Sequence, residues 1–366
     1  MTVLILNQEV LKEKDISSPL FGPINLGIEL FVKDREKFLK YEIELIANLE
    51  DLKKNNSGGK LNLTCQQICE KMLADINLLK NTSKDKKIVS EIDKICKTIS
   101  KSGFIERVAL ADSLEEQKKE IKEYEACFAP IKKIFGQGSF VELLAFLTFH
   151  EIKKDGFLVS PDLISSNQTL LNAIDYYSNH GWKNNLYLEV KIMRLICIPC
   201  NNSEWEQGYL QNIEKLESIL ILLLDKNSQE NIEIIYYKMF YLFRNKNLEK
   251  VCELFEKIPK PWHIGSYSGN NFYIISIYLL ASEAYYRCPG RGLQALETAE
   301  CALHFAKSRV PTKTTYGAKL FYRIGSNLHD KYMFYKNDNG IKLLNAIFAE
   351  EGFVPPWQKK LKLDQG

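Results

Sequence analysis

Residues 280–303 read Leu280-Ala-Ser-Glu-Ala-Tyr-Tyr286, then Arg287-Cys-Pro-Gly-Arg-Gly292, then Leu293-Gln-Ala-Leu-Glu-Thr-Ala-Glu-Cys-Ala-Leu303. On both sides of Pro289-Gly290 the apolar residues return every three or four positions, the period of an amphipathic helix. The Pro-Gly pair ends one helix and turns the chain into the next. Ala281, Ala295 and Ala302 are small enough to let the two helices approach closely. The stretch therefore predicts a helical hairpin.

The same layout extends outward. First helices are expected near Asn184, Glu230, Asn270 and Thr312, and second helices near Glu204, Asn247, Arg291 and Asp338. Each series advances by roughly 40–47 residues, a period that belongs to stacked helical hairpins. The small residues place this pattern beside a known family: it resembles a tetratricopeptide repeat over about 170 residues of the C-terminal half. Phe321-Tyr322-Arg323-Ile324-Gly325-Ser326 is similar to the core of the family's first helix. Ile235 to Glu256 keeps the layout, with Met239 and Val251 where small residues are expected.

The resemblance implies a concave groove. Its lining positions fall on Ile275, Tyr278, Ser282 and Tyr285 in the central repeat. They fall on Tyr236, Phe240 and Phe243 one repeat earlier, and on Lys319, Tyr322, Ser326 and His329 one repeat later. Such a face could hold a peptide, with rings supplying area and Lys319 pairing a carboxylate. The competing reading is that these aromatics fill contacts between helices.

The N-terminal half carries no such period. Asn25–Lys54 reads as one long helix, interrupted by Asn55–Lys60. Thr64 with Gln67, Ser113 with Glu116, and Ser139 with Glu142 form three capping boxes. A further helix spans Ser83–Ser102 and stops at Gly103, and the pair Ser160-Pro161 marks another start. The expected fold is all-α: an N-terminal antiparallel helical bundle (1–155), an α-solenoid of paired helices (156–355) and a basic tail (356–366).

Composition narrows the function. Lys plus Arg number 49 against 46 Asp plus Glu, a formal +3 over 366 residues. That balance disfavours a dedicated nucleic-acid binder. From Pro311 to Gly366 nine basic residues face five acidic ones, a basic tip read as a solvated cap in preference to a surface for an acidic partner or nucleic acid. The longest stretch without a formal charge, Pro261–Ser282, is apolar only over Phe272–Ala281, short of the roughly 20 residues of a span. Nine scattered cysteines and the absence of a secretory leader point to a reducing, cytoplasmic setting. Abundant Lys, Asn and Ile suit an AT-rich genome, as in many bacteria, including those that deliver effector proteins into a host cytosol.

Chemical motifs are few. Cys197-Ile-Pro-Cys200 follows the apolar run Leu186–Ile196 and so sits at a helix C-terminus, where the dipole disfavours a thiolate. Cys65 and Cys69 share a helix face and read as buried thiols. His150-Glu151 lacks the second histidine of a zinc-protease motif, since Lys154 stands there. Ser57-Gly-Gly-Lys60 lacks the spacing of a phosphate loop, and Glu115-Glu116 lies on a lysine-rich face. No catalytic, metal or cofactor residues are expected. The reading is a non-catalytic scaffold that binds a protein or peptide. One alternative is a peptide- or ligand-responsive regulator whose N-terminal helices hold nucleic acid or an effector, with Thr64–Ser102 as the helix-turn-helix candidate. Another is an enzyme on an unfamiliar helical scaffold.

Overall fold

A computed structural model describes residues 59–111, 113–154, 158–198, 208–221, 229–258, 271–309, 315–355 and 357. The expected helix Asn25–Lys54, Cys200 and, apart from Trp357, the tail lie outside the described residues. The chain is all-α, with no strand among the described residues. They fall into two compact units, one within 16–226 and one within 227–366. That division differs from the boundary at 155/156 expected from the change of pattern, because helices on both sides of residue 155 pack together.

The first unit contains α1 (Gly59–Thr82), α2 (Lys86–Ile99), α3 (Lys101–Leu110), α4 (Leu114–Glu125), α5 (Phe128–Phe135), α6 (Phe140–Lys154), α7 (Asn167–Tyr177), α8 (Leu186–Cys197) and α9 (Tyr209–Ile221). Its centre is α6, whose residues Phe140 to Ala145 are all buried. A helix apolar on every side must be surrounded, and α1, α2, α5 and α8 all pack on it. The ring of Tyr124 sits 4.3 Å from Phe104 and 5.2 Å from Phe149, and its hydroxyl donates to the Ala145 carbonyl at 3.0 Å.

Several helix ends differ from the sequence reading. Ser113 and Ser139 cap as expected, accepting from the N–H groups of Glu116 and Glu142 at 3.2 Å each. Thr64 does not, since α1 already begins at Gly59. Its buried hydroxyl instead accepts from the Leu186 N–H at 2.9 Å and so caps α8, beside the Asn185 side chain. Gly103 is no terminator: the chain breaks at Ser100 and Gly103 lies inside α3. The helix opened by Ser113 is interrupted at Ala126-Cys127. Ser160-Pro161 opens only a short 3-10 turn, and α7 starts later, capped by Ser166.

The second unit contains α10 (Gln229–Arg244), α11 (Leu248–Glu256), α12 (Asn271–Arg287), α13 (Gly292–Arg309), α14 (Thr315–Phe334) and α15 (Asp338–Glu350). These starts match the paired helices read from the sequence to within three residues. Neighbours pack in order: α10 on α11 and α12, α11 on α12, α12 on α13, α13 on α14, α14 on α15. The α12–α13 contact is the most extensive, across Ala281, Ala284, Ala295, Ala299 and Ala302, all fully buried.

Two of the turns are alike. Lys246 and Lys336 both adopt left-handed backbone, with φ of 58° and 54°. In each, the following asparagine N–H donates back five residues, Asn247 to Leu242 at 2.9 Å and Asn337 to Tyr332 at 2.8 Å. This is a Schellman closure, found at positions two repeat periods apart.

Candidate binding surface

The groove positions expected from the resemblance are mostly core. Tyr278 is 7% exposed and meets Phe255 of α11 edge-on at 5.0 Å. Ser282 is fully buried and donates to the Ala295 carbonyl of α13 at 2.7 Å. Tyr285 is buried against Phe255 and donates to Glu256 at 3.1 Å. Ile275 is fully buried too. One stripe of α12 therefore faces the second helices of the hairpins, and its rings are not free for a partner.

The outer repeats behave similarly. Tyr236 is buried against Phe240 and Tyr273, and Phe240 itself is half-buried. Tyr322 packs on Phe348 and Phe353, and the His329 ring stacks on Trp357 at 4.5 Å. Lys319 belongs to α14, and its side chain lies outside the described residues.

The accessible stripe of α12 is the neighbouring one, through Glu283, Tyr286 and Arg287. Glu283 accepts from Arg287 at 2.9 Å and from Lys331 of α14 at 3.2 Å. Lys331 also donates to Asn327 at 3.0 Å and lies 5.2 Å over the Tyr286 ring. The Arg287 guanidinium covers Phe243 of α10 at 5.1 Å, the one groove residue from that helix that meets this surface. Burial pushes the Lys331 ammonium below its ordinary pKa despite Glu283. Burial also opposes ionisation of Glu283, but Lys331 and Arg287 outweigh it and hold the carboxyl low. The two cations share the one carboxylate, and Lys331 makes the triplet a bridge between α12 and α14.

Beside it lies an open aromatic cluster. Tyr286, Phe334 and Tyr335 meet edge-on, with centroids 5.0–6.2 Å apart. Phe334 is 63% exposed, and Met333 next to it is also exposed. Tyr335 lies against Gly292, whose neighbour Leu293 is 71% exposed. Sequence reasoning missed this cluster, although Lys331-Tyr-Met-Phe-Tyr335 is a concentrated aromatic run just before a turn.

The first unit holds the other dense polar cluster. Asp75 is buried and accepts from the Val141 N–H at 3.0 Å; burial pushes its carboxyl up to about 7. Glu142 accepts from the Gly138 N–H at 2.6 Å and from the Tyr176 hydroxyl at 2.9 Å. His180 is held by the Tyr176 carbonyl at 2.7 Å and Gln137 at 3.1 Å. Asp75 on the Val141 N–H and Ser139 on the Glu142 N–H satisfy orphan donors at the start of α6, and Glu142 holds the Gly138 N–H just before it, so these three contacts read as helix capping. His150 contacts the Ser165 hydroxyl at 2.7 Å, and burial pushes its imidazole down to about 3.

Cys197 is buried at the end of α8, where the sequence placed it. Among the described residues no group of His, Cys, Asp and Glu could hold a metal ion, and no helix is long and apolar enough to cross a membrane. In the helix-turn-helix candidate, Lys84, Lys86 and Lys87 cluster with Asp85, which caps α2. No family model, curated protein or solved structure matches the chain.

Proposed function

We propose that the second unit is a non-catalytic, tetratricopeptide-like docking module for another protein or a peptide, working in a reducing, cytoplasmic compartment. The observation that carries this reading is the exposed cluster of Tyr286, Phe334 and Tyr335 with Met333 and Leu293 close by in sequence or space. A soluble domain gains nothing by leaving large rings in water, and contiguous apolar patches mark interaction sites. Rings are also the side chains that most often anchor an interface. The Glu283–Lys331–Arg287 triplet supplies a polar border and holds α12 to α14 beneath the patch.

The test is affinity capture by the full chain with identification by mass spectrometry, repeated with Phe334→Ala and Tyr335→Ala. The expected result is a partner retained by the wild type and weakened about thirtyfold, the cost of a roughly 2 kcal/mol anchor. Unchanged melting would show that the fold survives. A partner held equally well by both variants sinks the reading.

A further inference from the structure

Cys252 lies on α11 and is 1% exposed; Cys288 is the half-buried residue that directly follows α12. They belong to successive hairpins, yet Cys288 stands close enough to the Cys252 thiol to add to the upward push that burial gives it. Independent contacts fix the two segments together. Glu256, one turn after Cys252, accepts from the Tyr285 hydroxyl at 3.1 Å and from Arg291 at 2.8 Å. Tyr285 and Arg291 stand three residues before and three after Cys288, so α11 is clamped on both sides of that thiol. The Cys288 N–H donates to Ala284 at 3.0 Å, and the chain then turns through Gly290 with φ of 77°. No ligand or helix end is needed to explain why two thiols meet here.

We infer that Cys252 and Cys288 are a redox modification site: a peroxide converts them into a reversible disulfide that locks the α10–α11 hairpin to the α12–α13 hairpin. The chemistry has a defined order. Cys288 is the accessible sulfur, and it takes one oxygen from the peroxide to become a sulfenic acid, releasing water. The Cys252 sulfur then attacks the Cys288 sulfur. The S–S bond forms as the S–O bond breaks, and the departing hydroxide leaves as water with the Cys252 proton. Two thiols and one peroxide thus give one disulfide and two waters. Burial shelters the Cys252 sulfur and pushes its thiol up, so the peroxide meets Cys288 first. A thiol reductant reverses the bond by exchange.

The sequence offers a clean assay. Trypsin cleavage after Lys250, Lys257, Arg287 and Arg291 isolates Val251–Lys257 and Cys288–Arg291, each with one cysteine. The full chain is treated with hydrogen peroxide, blocked with N-ethylmaleimide, digested and analysed by mass spectrometry. The expected product is these two peptides joined, separated again by dithiothreitol and missing in Cys288→Ser. The oxidised wild type should also melt about 5–10 °C above the reduced protein, as a closed loop of this size implies. Sulfinic acid or maleimide on Cys288 with Cys252 unlinked would overturn the inference. So would a linked pair that leaves the melting temperature unmoved, because the lock would then be absent.

Discussion

Replacing Gly325 with alanine sets two opposed effects against each other at one position. Gly325 lies inside α14, where alanine is the better helix former by about 1 kcal/mol. A Cβ there would land on the Phe348 ring, with Trp357 only 3.3 Å away. Phe348 is fully buried, 4.8 Å from Phe321 and 5.1 Å from Trp357, so it has nowhere to retreat. Overpacking of a filled core costs about 1–3 kcal/mol, and two rings in the way put Gly325→Ala toward the upper end. The net expectation is a loss of about 1–2 kcal/mol, a fall of roughly 3–8 °C in thermal unfolding followed by circular dichroism.

Gly103 supplies the comparison. It is also helical, but the nearest atom to its added Cβ is the Arg107 Nη1 at 3.3 Å, the end of a flexible side chain. Gly103→Ala should therefore be neutral or stabilising by up to about 1 kcal/mol. Adding Phe348→Leu to Gly325→Ala should recover part of the lost stability. If Gly325→Ala melts at or above the wild type, the packing of α14 on α15 described above is wrong.

Three further outcomes follow from the same structure. Tyr278→Ala should cost about 3–5 kcal/mol of stability, as truncation of a core ring does, while Phe334→Ala leaves the melting temperature nearly unchanged; equal melting of the two would contradict their opposite burial. Thr64→Val leaves the Leu186 N–H at the start of α8 without an acceptor and should cost about 1–3 kcal/mol in chemical denaturation. The third concerns pH. Between 3.8 and about 7 the folded chain keeps a proton on Asp75 that the unfolded chain has released, so Asp75 makes stability fall as pH rises, by at most about 1.4 kcal/mol per unit. His150, ordinarily 6.5 and held at about 3, acts oppositely: below 6.5 the unfolded chain binds a proton that the folded one refuses. The two offset each other between pH 4 and 6.5. Asp75→Asn removes one side and should leave a protein whose denaturation midpoint drops more steeply as pH falls; a profile parallel to the wild type would disprove the assignment.

The helices of the second unit were legible because their signals are local. A period of three to four residues, Pro289-Gly290 in the turn, and the buried alanines of 281, 295 and 302 each act within one helix or between adjacent ones. Capping at Ser113 and Ser139 is local as well, a hydroxyl three residues from the N–H it serves. The rest depended on groups far apart in the chain. Thr64 looked like a cap for its own helix, yet its hydroxyl serves Leu186, more than a hundred residues on. On α12 the positions of Tyr278, Ser282 and Tyr285 were compatible with a groove for a partner and with contacts between helices. Which of the two they serve depends on Phe255 and Ala295, which only the folded hairpins bring near. The same holds for Glu283, Lys331 and Phe334: their spacing announces helix faces, and only the packing of α14 on its neighbours buries the lysine beside its carboxylate and leaves the phenylalanine in water.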